Sequence, residues 1–146
     1  MIHPARRVLR HDARGDARLD TNTFHLRVTG RSTNALAGHF VARPMMSDGE
    51  FFARVDEISG TGLTHAGVMI RAQNAAVFAA LSLGSDGRLW FQRRGDPAKR
   101  DVRLTTGPKA SAPVWLRLQL KEKELTALYA LDGKTWQKLA SESFKL

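Results

Sequence analysis

The chain predicts an all-β fold, a sandwich of two antiparallel sheets, and three observations carry that expectation. Apolar residues recur at every second position through run after run, the period of a strand with one buried face. Breakers containing Gly, Asp or Pro separate these runs at intervals of roughly ten residues, as in sandwich folds. No stretch offers a long amphipathic helix; QNAAVFAAL (73–81) comes nearest, but it is short and lies between strand-like runs.

Taken in order, the first twenty residues, MIHPARRVLRHDARGDARLD, set Arg6, Arg7, Arg10, Arg14 and Arg18 against Asp12, Asp16 and Asp20. They read as a polar basic arm or a first strand (1–20), which places the sandwich domain at 21–146. FHLRVTG (24–30) alternates Phe24, Leu26 and Val28 with His25 and Arg27. EFFARVDEI (50–58) sets Phe51, Ala53 and Val55 on one side and Phe52, Arg54 and Asp56 on the other. AGVMIRA (66–72) opposes Val68 and Ile70 to Met69 and Arg71, and AVFAALSLG (76–84) is apolar on both faces, as a central strand is. RLWFQRR (88–94) opposes Leu89 and Phe91 to Trp90 and Gln92. VWLRLQLK (114–121) sends Val114, Leu116, Leu118 and Leu120 inward and Trp115, Arg117, Gln119 and Lys121 outward; ELTALYAL (124–131) and TWQKLA (135–140) complete the set.

Between the runs fall Asp48-Gly49, Ser59-Gly60-Thr61-Gly62, Ser85-Asp86-Gly87, Gly95-Asp96-Pro97 and Asp132-Gly133. Asp-Gly between alternating runs predicts a hairpin, because both central residues of a type I′ turn need positive φ. LKEKEL (120–125) adds a reversal with a charged tip.

Composition bounds the function. The chain has 146 residues, enough for one sizeable core, and 42% hydrophobic content is ordinary for a globular protein. No apolar run approaches the ~20 residues of a membrane-spanning helix, and no membrane partner is expected. The first twenty residues contain no apolar signal-peptide core, so with Met1 as the natural start the expected compartment is the cytoplasm. Zero cysteines exclude disulfides, thiolate metal sites and thiol nucleophiles. Lys and Arg number 23 against 14 Asp and Glu, a formal charge of +9 that favours polyanions over cations.

Five segments then follow in a particular order: GEFFARVDEI, HAGVMIRAQNAAVFAALSL, GRLWFQRRG, PVWLRLQL and ALDGKTW. Together, over about residues 24–140, they resemble the bacterial concanavalin-A-like jelly rolls of the regulation-of-enolase-like family, relatives of laminin-G and legume-lectin sandwiches. The resemblance implies a jelly-roll sandwich with a concave sheet, where related lectins hold carbohydrate. Fold kinship alone assigns no activity.

On that frame the outward residues make one candidate site. Trp90 and Trp115 are the expected stacking platforms, with Arg71, Arg117 and Gln92 as polar partners; Met69 and Gln119 would share the face if these strands are neighbours. An indole suits the apolar face of a sugar ring, and guanidinium and amide groups suit its hydroxyls. Trp and Arg are equally the anchors of protein interfaces, so a protein partner or a second copy of the chain is the alternative occupant. A competing reading pairs Arg71 and Arg117 with Glu50 or Asp56, and a one-residue register slip would turn the Trp residues inward.

No catalytic role is expected. Glycoside hydrolysis needs two carboxylates across the scissile bond, and the Glu-x-Asp-x-x-Glu pattern of related glucanases is absent. Asp56 and Glu57 are adjacent and so face opposite ways, while Glu122 and Glu124 belong to a hairpin tip. Ser82 and Ser85 lack a neighbouring His-Asp arrangement in sequence. His3, His11, His25, His39 and His65 are scattered, Asp48, Asp86 and Asp132 are explained by their turns, and neither metal nor cofactor is expected. Arg-Gly-Asp at 14–16 and 94–96 is short enough to arise by chance. ALDGKTW resembles the sialidase Asp-box, but its Asp and Gly are adjacent and it occurs once.

The last candidate is the basic segment RRGDPAKRDVR (93–103), where Arg93, Arg94, Lys99, Arg100 and Arg103 outnumber Asp96 and Asp101. Charge-driven binding of a polyanion such as nucleic acid is a second alternative, to be recognised by its steep salt dependence. No nucleic-acid-binding motif accompanies the charge, so nucleic acid is not the leading partner.

Overall fold

The computed structural model describes residues 7–11, 14–21, 23–29, 38–42, 48–60, 62–72, 76–99 and 101–145. All regular structure in them is strand, and no helix is long and apolar enough to cross a membrane. The chain divides into two compact units, 1–46 and 47–146. The expected boundary stood at residue 20.

In the first unit, β1 (Arg7–His11) pairs antiparallel with β4 (Gly38–Ala42), and β2 (Arg14–Asp20) pairs with β3 (Thr23–Thr29). The basic stretch at the start of the chain thus contains two strands. Strand β4 was not foreseen.

The second unit is the sandwich. One sheet has the order β12-β11-β10-β5, made by β5 (Gly49–Val55), β10 (Val114–Lys121), β11 (Glu124–Ala130) and β12 (Gln137–Ser143). The other runs β6-β7-β8-β9, made by β6 (His65–Arg71), β7 (Phe78–Gly84), β8 (Arg88–Arg94) and β9 (Arg103–Lys109). Every pairing is antiparallel. The chain leaves the first sheet after β5, builds the whole second sheet, and returns as β10, which lies beside β5.

The alternation predicted for β10 is realised. Val114, Leu116, Leu118 and Leu120 are buried, and Trp115, Arg117 and Gln119 between them are half-buried. Ala127 and Leu125 extend the inner layer on β11, and Val68, Leu81, Leu89 and Phe91 face it from the second sheet. Each buried Leu or Phe contributes roughly 1.5–3 kcal/mol of transfer free energy, so this layer holds the two sheets together. Strand β7, apolar on both faces, lies in the middle of its sheet between β6 and β8.

Strand β9 was missed because RLTTGPK has no apolar alternation. Its Pro108 lacks a backbone donor, which suits the sheet edge where β9 lies. The two sheets are also clasped at one end. Glu142 of β12 accepts from Arg93 Nε at 2.9 Å and from Arg103 Nη2 at 3.0 Å, while Arg93 Nη1 donates to Thr105 Oγ1 at 2.7 Å.

One turn differs from its expected form. Asp132-Gly133 is not the centre of a two-residue hairpin; residues 131–136 form a longer loop between β11 and β12. The charged reversal at 122–123 is instead the tight turn, with both Glu122 (φ 50) and Lys123 (φ 67) left-handed.

Candidate ligand-binding face

The outer face of the first sheet is built by register. Strand β10 projects Trp115, Arg117 and Gln119, and its β5 partners at those positions are Arg54, Phe52 and Glu50. On the other side β11 supplies Ala130, Leu128 and Thr126. Phe52 is 58% exposed, and the Arg54 side chain 53%.

Trp136 joins this face from the 131–136 loop. Asp132 bends the loop by accepting from the backbone of Lys134 at 2.8 Å and of Thr135 at 2.7 Å, and from the Thr135 hydroxyl at 2.7 Å. These donors, the Thr135 backbone first, lower the Asp132 pKa to about 2. The next residue, Gly133, has φ +74, and a Cβ there would stand 2.9 Å from the Trp115 indole. Only glycine lets the loop lie this close to Trp115.

The two indoles then carry cations. Arg117 Cζ lies 4.3 Å from the Trp136 ring centroid, a stacking distance, and Arg54 Cζ lies 5.8 Å from that of Trp115. Arg54 is paired with Asp56. The closest approach of Arg117 to Glu50 is 3.6 Å, within ion-pair range but beyond a direct hydrogen bond. The Nε of Arg117 is buried and has no hydrogen-bond partner among the described residues.

Farther along the same face the surface becomes polar. An open depression of about 310 Å³ is lined by Gln119, Lys121, Glu122, Glu124 and Thr126. The Thr126 and Ser141 hydroxyls are 3.1 Å apart, and the Ser141 hydroxyl donates to Glu124. The aromatic end and the polar end are joined by β10, whose outward residues from Trp115 to Lys121 span about 20 Å at strand rise.

The expected single site is therefore divided. Trp115 and Arg117 belong to β10, but Trp90, Gln92 and Arg71 belong to β8 and β6 of the other sheet. Outward residues of the two packed sheets point to opposite sides, so the expected pairing of Trp90 with Trp115 does not exist.

On the second sheet, Trp90 is tied down. Its Nε1 donates to Asp86 at 3.1 Å, and its ring meets His65 edge-on with centroids 5.1 Å apart. His65 Nδ1 lies 3.3 Å from the Ser82 hydroxyl. Burial lowers the His65 pKa, partly offset by the nearby Asp86 carboxylate. Ser82 thus has a His neighbour that its sequence surroundings did not reveal, brought there by the pairing of β6 with β7. Arg71 and Arg94 stand at register positions on either side of the buried Phe78, with Arg94 Cζ 5.5 Å from that ring.

The basic segment does not present its cations on one surface. Arg93 points between the sheets toward Glu142 with only 11% of its side chain exposed, and Arg103 shares that carboxylate. Arg94 lies on the opposite side of β8, Lys99 is exposed, and Arg100 lies outside the described residues. No group of three or more His, Asp or Glu placed to hold a metal ion occurs among the described residues.

The residue that sequence reasoning omitted is Trp136. Its signal was the Asp-Gly-Lys-Thr-Trp string itself, where an Asp that caps its own following backbone fixes what comes next. Phe52 and Arg54 were placed on one side of their strand but not joined to the site. Comparison of the chain with family models, with curated proteins and with solved structures found no match.

Proposed function

We propose that this chain is a non-catalytic binding module whose ligand, a carbohydrate or related polyhydroxylated molecule, rests on the outer face of the first sheet. The observation that carries this reading is the continuity of Trp115 and Trp136 with the depression beside Gln119 and Thr126. Aromatic rings offer the apolar contact that a sugar ring's C–H face needs. The amide and hydroxyl groups offer donors and acceptors for its hydroxyls. The resemblance to concanavalin-A-like jelly rolls points the same way.

A glycan array probed with the native chain, Trp115→Ala and Trp136→Ala tests the proposal. The expected result is a hit lost or weakened at least tenfold in both folded variants. Retention of the hit in both would reject this face.

A second reading uses the same face for a protein partner or another copy of the chain, and exposed Phe52 opposite Arg117 favours it. It predicts a blank glycan array together with self-association, in sedimentation velocity, that Phe52→Ser abolishes.

A further inference from the structure

Resting on the carbohydrate reading, the Arg117 environment narrows the ligand. A guanidinium stacked on an indole keeps its N–H groups in the plane, aimed past the ring edge, the geometry that receives a carboxylate through two parallel hydrogen bonds. Arg117 has the first feature, with Trp136 4.3 Å away. It lacks the second partner: Glu50 approaches only to 3.6 Å, from an edge strand and with 44% of its own side chain exposed. Arg117 Nε is buried, out of a ligand's reach, and has no hydrogen-bond partner among the described residues. Glu50 meets Arg117 at Nη1, beyond direct hydrogen-bond distance, and a carboxylate that displaces Glu50 would give Nη1 the direct, charge-assisted hydrogen bond that Glu50 does not.

The neighbours fit a sugar acid more than a bare anion. One strand position from Arg117 on the same face stand Trp115 on one side and Gln119 on the other, the latter opening into the polar depression. A carboxylate on Arg117 would therefore sit between an apolar platform and hydroxyl-binding groups. The overall charge of +9 adds long-range attraction for a polyanion, without specificity.

We infer that the face selects acidic glycans, with the carboxylate of a uronic acid residue bound by Arg117 on its Trp136 support. The ligand class is a uronate-containing oligosaccharide, and Arg117 is its specificity-determining residue.

Calorimetric titration with oligomers of galacturonate, glucuronate and mannuronate, each beside its carboxyl-reduced counterpart, tests the inference at fixed moderate salt. At least one acidic oligomer should bind about tenfold or more tightly than its neutral counterpart. Arg117→Gln should erase that preference. Arg117→Lys should weaken it, because an ammonium keeps the charge but not the planar fork. Lys99→Gln, away from the face, should leave it intact, and circular dichroism should show each variant folded. Equal affinity for acid and neutral forms overturns the inference but leaves the carbohydrate reading standing, as does a preference that survives Arg117→Gln. Binding of dextran sulfate as strong as of any uronate overturns it too, reducing the effect to bulk charge. No binding to either form overturns the inference, and only a blank glycan array as well would overturn the reading beneath it.

Discussion

Trp136 owes its place to a carboxylate four residues earlier. Asp132 gathers three donors from the loop that follows it, and this bend presents the indole to Arg117. Asp132→Ala should release the loop and weaken the near-ultraviolet circular dichroism of Trp136, with the strand signal unchanged. The same bonds make a pH prediction. The folded-state pKa of Asp132 is depressed to about 2, so its stabilising effect is complete above the ordinary Asp range. It is lost as pH falls from about 4 toward about 2, and urea midpoints of Asp132→Ala should lack this component. Gly133→Ala combines a positive φ with a clash against Trp115, so it should disturb both indoles of the face. On the other sheet, His65 has its pKa lowered by burial, so stability is full above about pH 6.5 and declines below it. His65→Gln should flatten that decline in urea midpoints measured between pH 7 and 5.

At the scale of elements, the β10–β11 hairpin holds the main departure from local preference. Glu122 and Lys123 both adopt positive φ, which disfavours an L-residue with a Cβ by about 1–2 kcal/mol each. Two supports hold the turn: Glu122 N donates to Asp48 Oδ2 at 2.8 Å, and Phe144 N donates to the Lys123 carbonyl at 2.7 Å. Replacing the pair by Asn-Gly should raise the unfolding free energy by about 1–2 kcal/mol. Urea denaturation would measure it. The contrast with Asp132-Gly133 is instructive. Asp-Gly favours a type I′ turn locally, but the Asp132 side chain found a better arrangement over four residues. Strand β10 was legible because leucines at every second position have one physical reading, a buried face. Strand β9 was not, because an edge strand with Thr, Gly and Pro is defined by its neighbour β8 and not by its own pattern.

At the scale of the whole molecule, alternation states which side of a strand is buried but not which sheet the strand joins. A sandwich has two outer faces, and Trp90 and Trp115 satisfied the same pattern on opposite ones. Only the long-range choice of β5 beside β10, with β6 to β9 following one another in the second sheet, divides the expected site and brings Arg54 to Trp115 and Phe52 to Arg117. The sheets are coupled through the leucine layer and the Glu142 clasp. Leu118→Ala should cost about 2–5 kcal/mol, as a fully buried residue replaced by a cavity. Glu142→Ala, which leaves the largely buried Arg93 without its carboxylate, should cost about 2 kcal/mol. Both are read from chemical denaturation.

The central claim, that ligand sits on the outer face of the first sheet, is tested most directly by the three tryptophans themselves. In a 15N-labelled sample each indole N–H gives its own signal, assigned by single Trp→Phe variants. Titration with the tightest-binding glycan from the array should shift the Trp115 and Trp136 signals and leave Trp90, bonded to Asp86 on the other sheet, unmoved. A shift of Trp90 alone would place the ligand on the second sheet and contradict the account.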